Sequence, residues 1–453
     1  VKRQNEVTFA ELDSLPNRDA IKKRLTELWN YEKYSAPFKV GGRYYYYKND
    51  GLQNQSVLYV MDSLDAAPRV LIDPNTWSTD GTVALTATAF NDDGKWVAYG
   101  VAEGGSDWNT WRVMEIKTGN VLADEIKWVK YGGATWARDN RGFFYQRYDE
   151  PKEGEKFQEL TYNQKVYFHR PGQPQSDDVL VFEEPDHPEW GFNIDASEDG
   201  RYLVLTVWVG TDDRYRVKYR DLCEEYGAFV NLIDNFEHDY TFVGNDGPVF
   251  YFRTNNSAPR GKLIAIDTRT PEREQWRDVI PETKDMLTGV GFVGNHFIAE
   301  YLRDAKTFVA IHSVDGAPIR DIELPGIGTA EGFGGKRSDT ETFYSFSSFV
   351  TPPSIYRHDM MTGQSTLMRE AKVDVKPEDY IVEQVFYRSR DGTQVPMFIT
   401  RKKSVARDGK APTLLYGYGG FNISMTPAFS TSRLAWMERG GVYAMANLRG
   451  GGE

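Results

Sequence analysis

A seven-bladed β-propeller followed by the beginning of an α/β domain is the fold this sequence predicts, and three observations carry the prediction. A turn-plus-strand phrase returns seven times at a spacing of about 50 residues, the range expected of propeller blades built from about four strands each. Aromatic residues make up 14% of the 453-residue chain, and 41 Gly and 21 Pro are spread along its whole length, which is the composition of turn-rich sheet. After about residue 372 the repeat stops and gives way to a hairpin and two short apolar strands.

The chain begins with a helix rather than a strand. Asn17 provides an N-cap, and Ile21, Leu25, Leu28 and Trp29 fall at i, i+4, i+7 and i+8, one face of a 3.6-residue period. From Tyr34 onward, short runs of alternating aromatic and β-branched residues are separated by Gly, Asn and Asp. The recurring phrase is a glycine or Asp-Gly, a basic or polar residue, then an aromatic strand. It appears at Gly42 in VGGRYYYY, Gly94 in NDDGKWVAY, Gly142 in DNRGFFY, Gly200 in SEDGRYLVL, Gly247 in GNDGPVFYF and Gly294 in VGNHFIAEY. A degenerate last copy, SDTETFYSF, lies at Thr340. Most copies close on an outer strand and turn such as RVMEIKTGN or LIAIDTRT. Blades arranged in a ring bury their faces against one another and leave no long exposed edge. A two-sheet sandwich array is the weaker alternative.

Beyond the repeat, Tyr380–Tyr387 and Gln394–Thr400 form a hairpin turned by Asp391-Gly392. The apolar runs Thr413–Tyr416 and Val442–Ala446 read as strands covered on both faces, as in an α/β sheet. The first of them leads into YGYGGFNIS, where glycines allow a sharp turn and close approach to a ligand. The expected organisation is a helical segment over residues 1–33, a propeller over 34–370, and an incomplete α/β domain over 371–453. The links at Lys33 to Ala36 and Ala371 to Lys376 are candidate hinges.

A net charge of −12 argues against nucleic acid, which needs clustered Lys and Arg. No window approaches the roughly 18 apolar residues of a membrane span. One cysteine, Cys223, excludes an intrachain disulfide and fits a reducing compartment, so a cytoplasmic location is expected, or a periplasmic one if a leader precedes Val1. The six histidines all lie in the propeller without metal-ligand spacing, and neither a metal nor a cofactor is expected. His187 beside Asp186 and His238 beside Glu237 read as surface pairs.

Five segments together resemble the prolyl oligopeptidase family of serine peptidases: NDGLQNQSVLYVMDSL (49–64), GGSDWNTW (104–111), LIDNFEHDY (232–240), LLYGYGGFNIS (414–424) and NLRGGGE (447–453). The resemblance covers essentially the whole chain. It implies a seven-bladed propeller capping an α/β-hydrolase domain, with the N-terminal segment 1–33 packed beside that domain and the catalytic Ser, Asp and His beyond Glu453, since no G-x-S-x-G elbow occurs in the sequence. It also implies roles for three residues. Tyr418 falls where the family places a hydroxyl donor to the oxyanion, and a phenol, protonated at neutral pH, suits that task. Phe421 matches the aromatic wall of a proline pocket, and Phe144 matches a propeller phenylalanine that reaches towards substrate. Packing is the competing role for each, most strongly for Phe144. Gly191, Thr211 and Trp208 stand where mammalian members offer Met, Cys and Arg, so the outer subsites are expected to prefer different residues.

The activity implied is a monomeric endopeptidase cutting short peptides after proline. Its partners would be proline-containing peptides and the remainder of the hydrolase domain. A sister peptidase cutting after Arg or Lys, which needs carboxylates in its pocket, and a non-catalytic propeller binding module are the alternatives.

Overall fold

The structure, a computed structural model, describes residues 1–152, 161–224 and 227–450 of the chain. Strand periodicity decides its architecture, because adjacent residues of a strand face opposite ways and in these strands both are apolar. Val97 packs into a core shared with the first blade and Ala98 into one shared with the third. Phe143 and Phe144 divide in the same way, as do Leu203 and Val204, Phe250 and Tyr251, and Phe297 and Ile298. A sheet with two apolar faces needs a neighbour on each side, and repeating that requirement closes a ring.

The ring consists of seven antiparallel sheets in chain order, the first with five strands and the others with four. The tunnel is walled by Phe38–Val40, Val83–Phe90, Ala134–Trp136, Trp190–Ala196, Tyr240–Asp246, Met286–Val293 and Thr329–Gly334. All seven copies of the sequence phrase fall at the turn from this innermost strand to the second one. Gly94 and Gly200 have φ of +68° and +74° there, a region glycine enters without steric cost. The polar residue opening the phrase closes the turn: Trp96 N–H donates to Asn91 Oδ1 and Tyr202 N–H to Ser197 Oγ, both at 2.8 Å. RVMEIKTGN and LIAIDTRT prove to belong to third strands, Asn109–Glu115 and Lys262–Asp267, rather than outermost ones. The outermost strands, such as Ile126–Val129 and Arg277–Ile280, are too short to stand out by periodicity.

Two helices precede the ring. α1 spans Lys2–Ser14 and buries nothing, so no apolar stripe announced it. α2 spans Arg18–Trp29 behind Asn17, as expected, but only Leu28 is fully buried and Leu25 partly so. Ile21 and Trp29 stay 36% and 54% exposed, so the packed stripe is narrower than the sequence period indicates.

After the ring, strands Tyr380–Arg388, Gln394–Lys402, Thr413–Gly417 and Val442–Ala446 form one sheet in the order first, second, fourth, third, with the last two parallel. Helix α3, Thr431–Glu438, makes the crossover between the parallel pair. Val442–Ala446 is buried as its apolar run requires. Thr413–Gly417 is not covered on both faces as expected. Among the described residues it is an edge strand with a neighbour on one side only, and Leu415 is 64% exposed.

A single apolar core joins these parts: Leu28 of α2, Ala305 and Phe349 from the sixth and seventh blades, and Phe398, Leu434, Tyr443 and Met445 of the final sheet and α3. Beside it, Arg24 donates to both oxygens of Glu438 at 2.9 and 2.7 Å and to Asp374 at 3.1 Å.

The joint between the seventh blade and the first is built differently from the other six. Among the described residues no apolar cluster spans it. Tyr44 hydroxyl and Arg357 each donate to Glu341 at 2.5 Å, Lys39 faces Asp339 at 3.9 Å, and Tyr44 meets Phe343 edge-on at 6.0 Å. The tunnel mouth where the turns gather encloses a cavity of about 620 Å³, and the seventh blade's turn reaches across it. Lys336 bonds Asp92 of the second blade at 2.8 Å, while Arg337 reaches Glu198, Asp246 and Asn295 of the fourth, fifth and sixth at 3.1, 3.1 and 2.6 Å.

One buried charge network ties the second blade to the third. His169, fully buried, sits 2.7 Å from Asp178 and 2.8 Å from Asp124, and Tyr145 hydroxyl donates to the other oxygen of Asp178 at 2.6 Å. Burial opposes a charged imidazole, but Asp178 and Asp124 outweigh it and hold the His169 pKa above its ordinary value. A raised folded-state pKa gives stabilisation that is complete below the ordinary histidine value of about 6.5 and is lost as pH rises through the folded value. In urea unfolding of the full-length protein, His169→Gln should cost about 3 kcal/mol near pH ~6, because it strands two buried carboxylates. The difference from wild type should shrink towards pH ~9. A difference that stays constant with pH would rule out a charged imidazole.

Candidate active-site loop and the surface it faces

The loop predicted to bind an oxyanion is positioned by the parallel pair. Tyr416 lies opposite Met445 and Gly417 opposite Ala446, so both strands release their chains at the same edge. Residues 418–420 and 448–450 then run side by side. A Cβ on Gly419 would lie 2.7 Å from the Arg449 carbonyl oxygen and 2.8 Å from Leu448 Cβ, and only glycine permits that approach. The chain next reverses through Phe421 and Asn422, both left-handed at φ +53° and +56°, and Ile423 N–H donates back to Gly420 O at 3.1 Å. Asn447 Nδ2 anchors the far side on Met425 O at 2.5 Å.

Contacts with the ring show which end of the tunnel the loop faces. Thr329 Oγ1 donates to Pro427 O at 2.7 Å and Lys306 Nζ to Gln384 Oε1 at 2.9 Å. The final sheet therefore sits where the innermost strands begin, opposite the mouth crossed by Lys336 and Arg337. Tyr418 lines a cavity of about 290 Å³ whose other wall comes from the fifth and sixth blades, including Arg260, Lys284, Asp285 and Asp304. Its ring is 37% exposed, and its hydroxyl makes no hydrogen bond to any described residue.

The other two predicted residues are placed apart from Tyr418. Phe421 is 88% exposed and is not part of that cavity wall. Phe144 is 6% exposed, packed 4.9 Å from Phe168 in the cluster that holds Trp190 and Phe192. His187 faces Glu189 at 3.6 Å and stacks on Trp190 at 3.9 Å, so its partner is not Asp186. His238 lies edge-on to Tyr240 at 6.5 Å.

A second cavity at the same end of the ring, about 760 Å³, holds Trp208 and Thr211, two of the positions expected at the outer subsites. Tyr131, Tyr148, Tyr162, Trp190, Trp208 and Tyr215 of the third and fourth blades line it. These aromatics cluster at strand ends rather than within the alternating runs, which is the one sequence clue to them. Gly191 stands opposite Trp208 across the strand pair, and a Cβ there would lie 2.1 Å from the indole. Gly191 and Trp208 are therefore one packing unit, and Thr211 lines the same cavity.

Gly419 and Gly420 offer a paired test of the loop. Gly419→Ala should speed hydrogen exchange across residues 417–425 and 447–450 in the full-length protein by about tenfold, because backbone must move to admit the methyl group. Gly420→Ala, where a Cβ would meet nothing within 4 Å, should leave the same amides unchanged. Equal effects from the two substitutions would show that the segments do not pack as described.

Comparison with known proteins agrees with this geometry. The family model for the N-terminal β-propeller domain of prolyl oligopeptidase matches residues 1–371. Over 452 residues the chain is 42% identical to the prolyl endopeptidase of Elizabethkingia miricola, covering 99% of this chain and 63% of that protein. It is 33% identical over 494 residues to the dual function macrocyclase-peptidase POPB of Galerina marginata, covering 99% of this chain and 66% of that one. A solved prolyl endopeptidase superimposes with a TM-score of 0.82 at 41% identity, covering 99% of this chain and 64% of its own. Prolyl oligopeptidase B from Galerina marginata, bound to a 35mer hydrolysis and macrocyclization substrate, gives 0.92 at 32% identity, covering 99% and 66%. The chain thus spans 63% of the length of the curated Elizabethkingia relative. With seven sheets closed into a ring and a parallel strand pair presenting its loop to one mouth, the chain belongs to the prolyl oligopeptidase family.

Proposed function

We propose that the full-length protein is a monomeric serine endopeptidase that hydrolyses short peptides on the carboxyl side of proline through an acyl-enzyme. The observation that carries this reading is Tyr418, a hydroxyl without a partner among the described residues at the end of the sheet's third strand, where α/β-hydrolases build part of the oxyanion hole. A Ser from the rest of the hydrolase domain attacks the carbonyl, a His carries the proton, and an Asp orients the His. That remaining part would also cover α1 and the exposed edge at Leu414–Tyr416. Phe421, with most of its ring exposed, is available to wall a proline ring, and buried Phe144 backs the propeller side.

Cutting after Arg or Lys receives less support. The Tyr418 cavity carries Asp285 and Asp304 but also Arg260 and Lys284, so it offers no net negative field to a cationic side chain. Among the described residues no helix is long and apolar enough to cross a membrane, and the single cysteine favours a reducing, cytoplasmic setting.

The direct test is a peptide library cut by the full-length protein, with products located by mass spectrometry. Cleavage after proline is expected, and cleavage after Lys or Arg would overturn the assignment. Tyr418→Phe should lower kcat about 10²- to 10³-fold with little change in KM. An unchanged kcat returns Tyr418 to a packing role. Phe421→Ala should cut the preference for proline over alanine about tenfold, whereas equal losses on both substrates point to misfolding.

A further inference from the structure

The cavity of about 290 Å³ that holds Tyr418 has two unlike walls. The final sheet and its loops contribute no charged residue to it, whereas Arg260, Lys284, Asp285 and Asp304 all come from the fifth and sixth blades. Asp285 is already satisfied, since Arg303 Nε donates to it at 2.7 Å. Glu282 lies close by but outside the wall, and its carboxylate accepts from the Arg260 backbone N–H at 2.8 Å. Among the described residues no carboxylate pairs with the side chain of Arg260 or Lys284, and no cation pairs with Asp304. Two cations and one carboxylate are therefore left facing the cavity, a positive balance that no packing requirement explains.

The two cations ride on connections that are joined to each other. Arg260 sits in the turn between the second and third strands of the fifth blade, where Gly261 N–H donates to Ala258 O at 2.8 Å. Lys284 sits in the link from that blade's outermost strand to the innermost strand of the sixth. Leu287 N–H, at the end of this link, donates to Arg260 O at 2.7 Å. The backbones approach so closely that a Cβ on Gly261, left-handed at φ +80°, would lie 3.0 Å from Leu287 O. Both connections lie at the mouth that receives the final sheet, on different blades from the Trp208 cavity.

Resting on the peptidase reading above, we propose that Arg260 and Lys284 form a substrate subsite for a carboxylate of the peptide, either its free C-terminus or a Glu or Asp side chain. Tyr418 holds the oxyanion of the cleaved bond on the opposite wall. A guanidinium offers two parallel N–H donors to a carboxylate, and a lysine beside it adds a point charge. The uncharged facing wall supplies no competing ion, so the field inside the cavity is set by the ring.

The test uses the full-length protein and peptides containing one proline, with products followed by mass spectrometry. One set compares a free with an amidated C-terminus at increasing distance from the proline. The other, amidated throughout, compares Glu with Gln at each position in turn. In one set or the other, kcat/KM should favour the carboxylate about tenfold, with cleavage still after proline, and the set that responds identifies the source. Arg260→Gln combined with Lys284→Gln should bring that ratio close to one. Asp304→Asn, which the left-handed backbone at φ +49° accepts, should raise it. Because both peptides of a pair are read on one preparation, the ratio is independent of the folded fraction. A wild-type ratio near one throughout both sets, or a preference that survives the double substitution, overturns the proposal. Replacing the proline by alanine separates the two readings: lost dependence on proline defeats the peptidase assignment, whereas retained dependence with a flat carboxylate-to-amide ratio defeats this subsite alone.

Discussion

Two-sided apolar burial in the second strand of each blade is the constraint on which the rest of this structure depends. Val97 and Ala98 sit next to each other in sequence yet belong to different cores, and the same division recurs around the ring. Burying a large aliphatic or aromatic side chain contributes about 1.5–3 kcal/mol, so a blade without a neighbour on one side forfeits several such contributions at once. No blade is stable alone, and the ring is the arrangement that gives each one two neighbours.

The ring's polarity then decides where chemistry can occur. Every innermost strand runs the same way, so turns collect at one mouth and strand beginnings at the other. The turn mouth is crossed by Lys336 and Arg337, whereas the opposite mouth receives the final sheet through the core around Leu28, Phe349 and Tyr443. The YGYGGF loop therefore faces a rim built by the blades.

Much of this was legible in the sequence because it rests on local chemistry. The Gly and Asp-Gly phrase marks the same turn in all seven blades, since left-handed backbone and side-chain caps there leave few residue choices. The parallel strands and the glycine loop were legible for the same reason. The outermost strands, α1 and α3 were not, being short or lacking a wide apolar stripe. Nor could sequence separate Phe421 from Tyr418: three residues apart in the chain, they diverge because two successive left-handed residues turn one side chain away. The His169 network was hidden because its members come from separate blades, and no spacing rule links Asp124 to His169.

The joints of the ring differ in chemistry. Apolar burial holds six of them, while across the seventh Tyr44 donates to Glu341 and meets Phe343, Lys39 faces Asp339, and Arg369 lies over the rings of Tyr34 and Tyr46. Charges in partly hydrated surroundings are screened over about 8 Å at physiological ionic strength. The ring is thus closed by its one polar seam, along the radius that passes between residues 39–44 and 339–343.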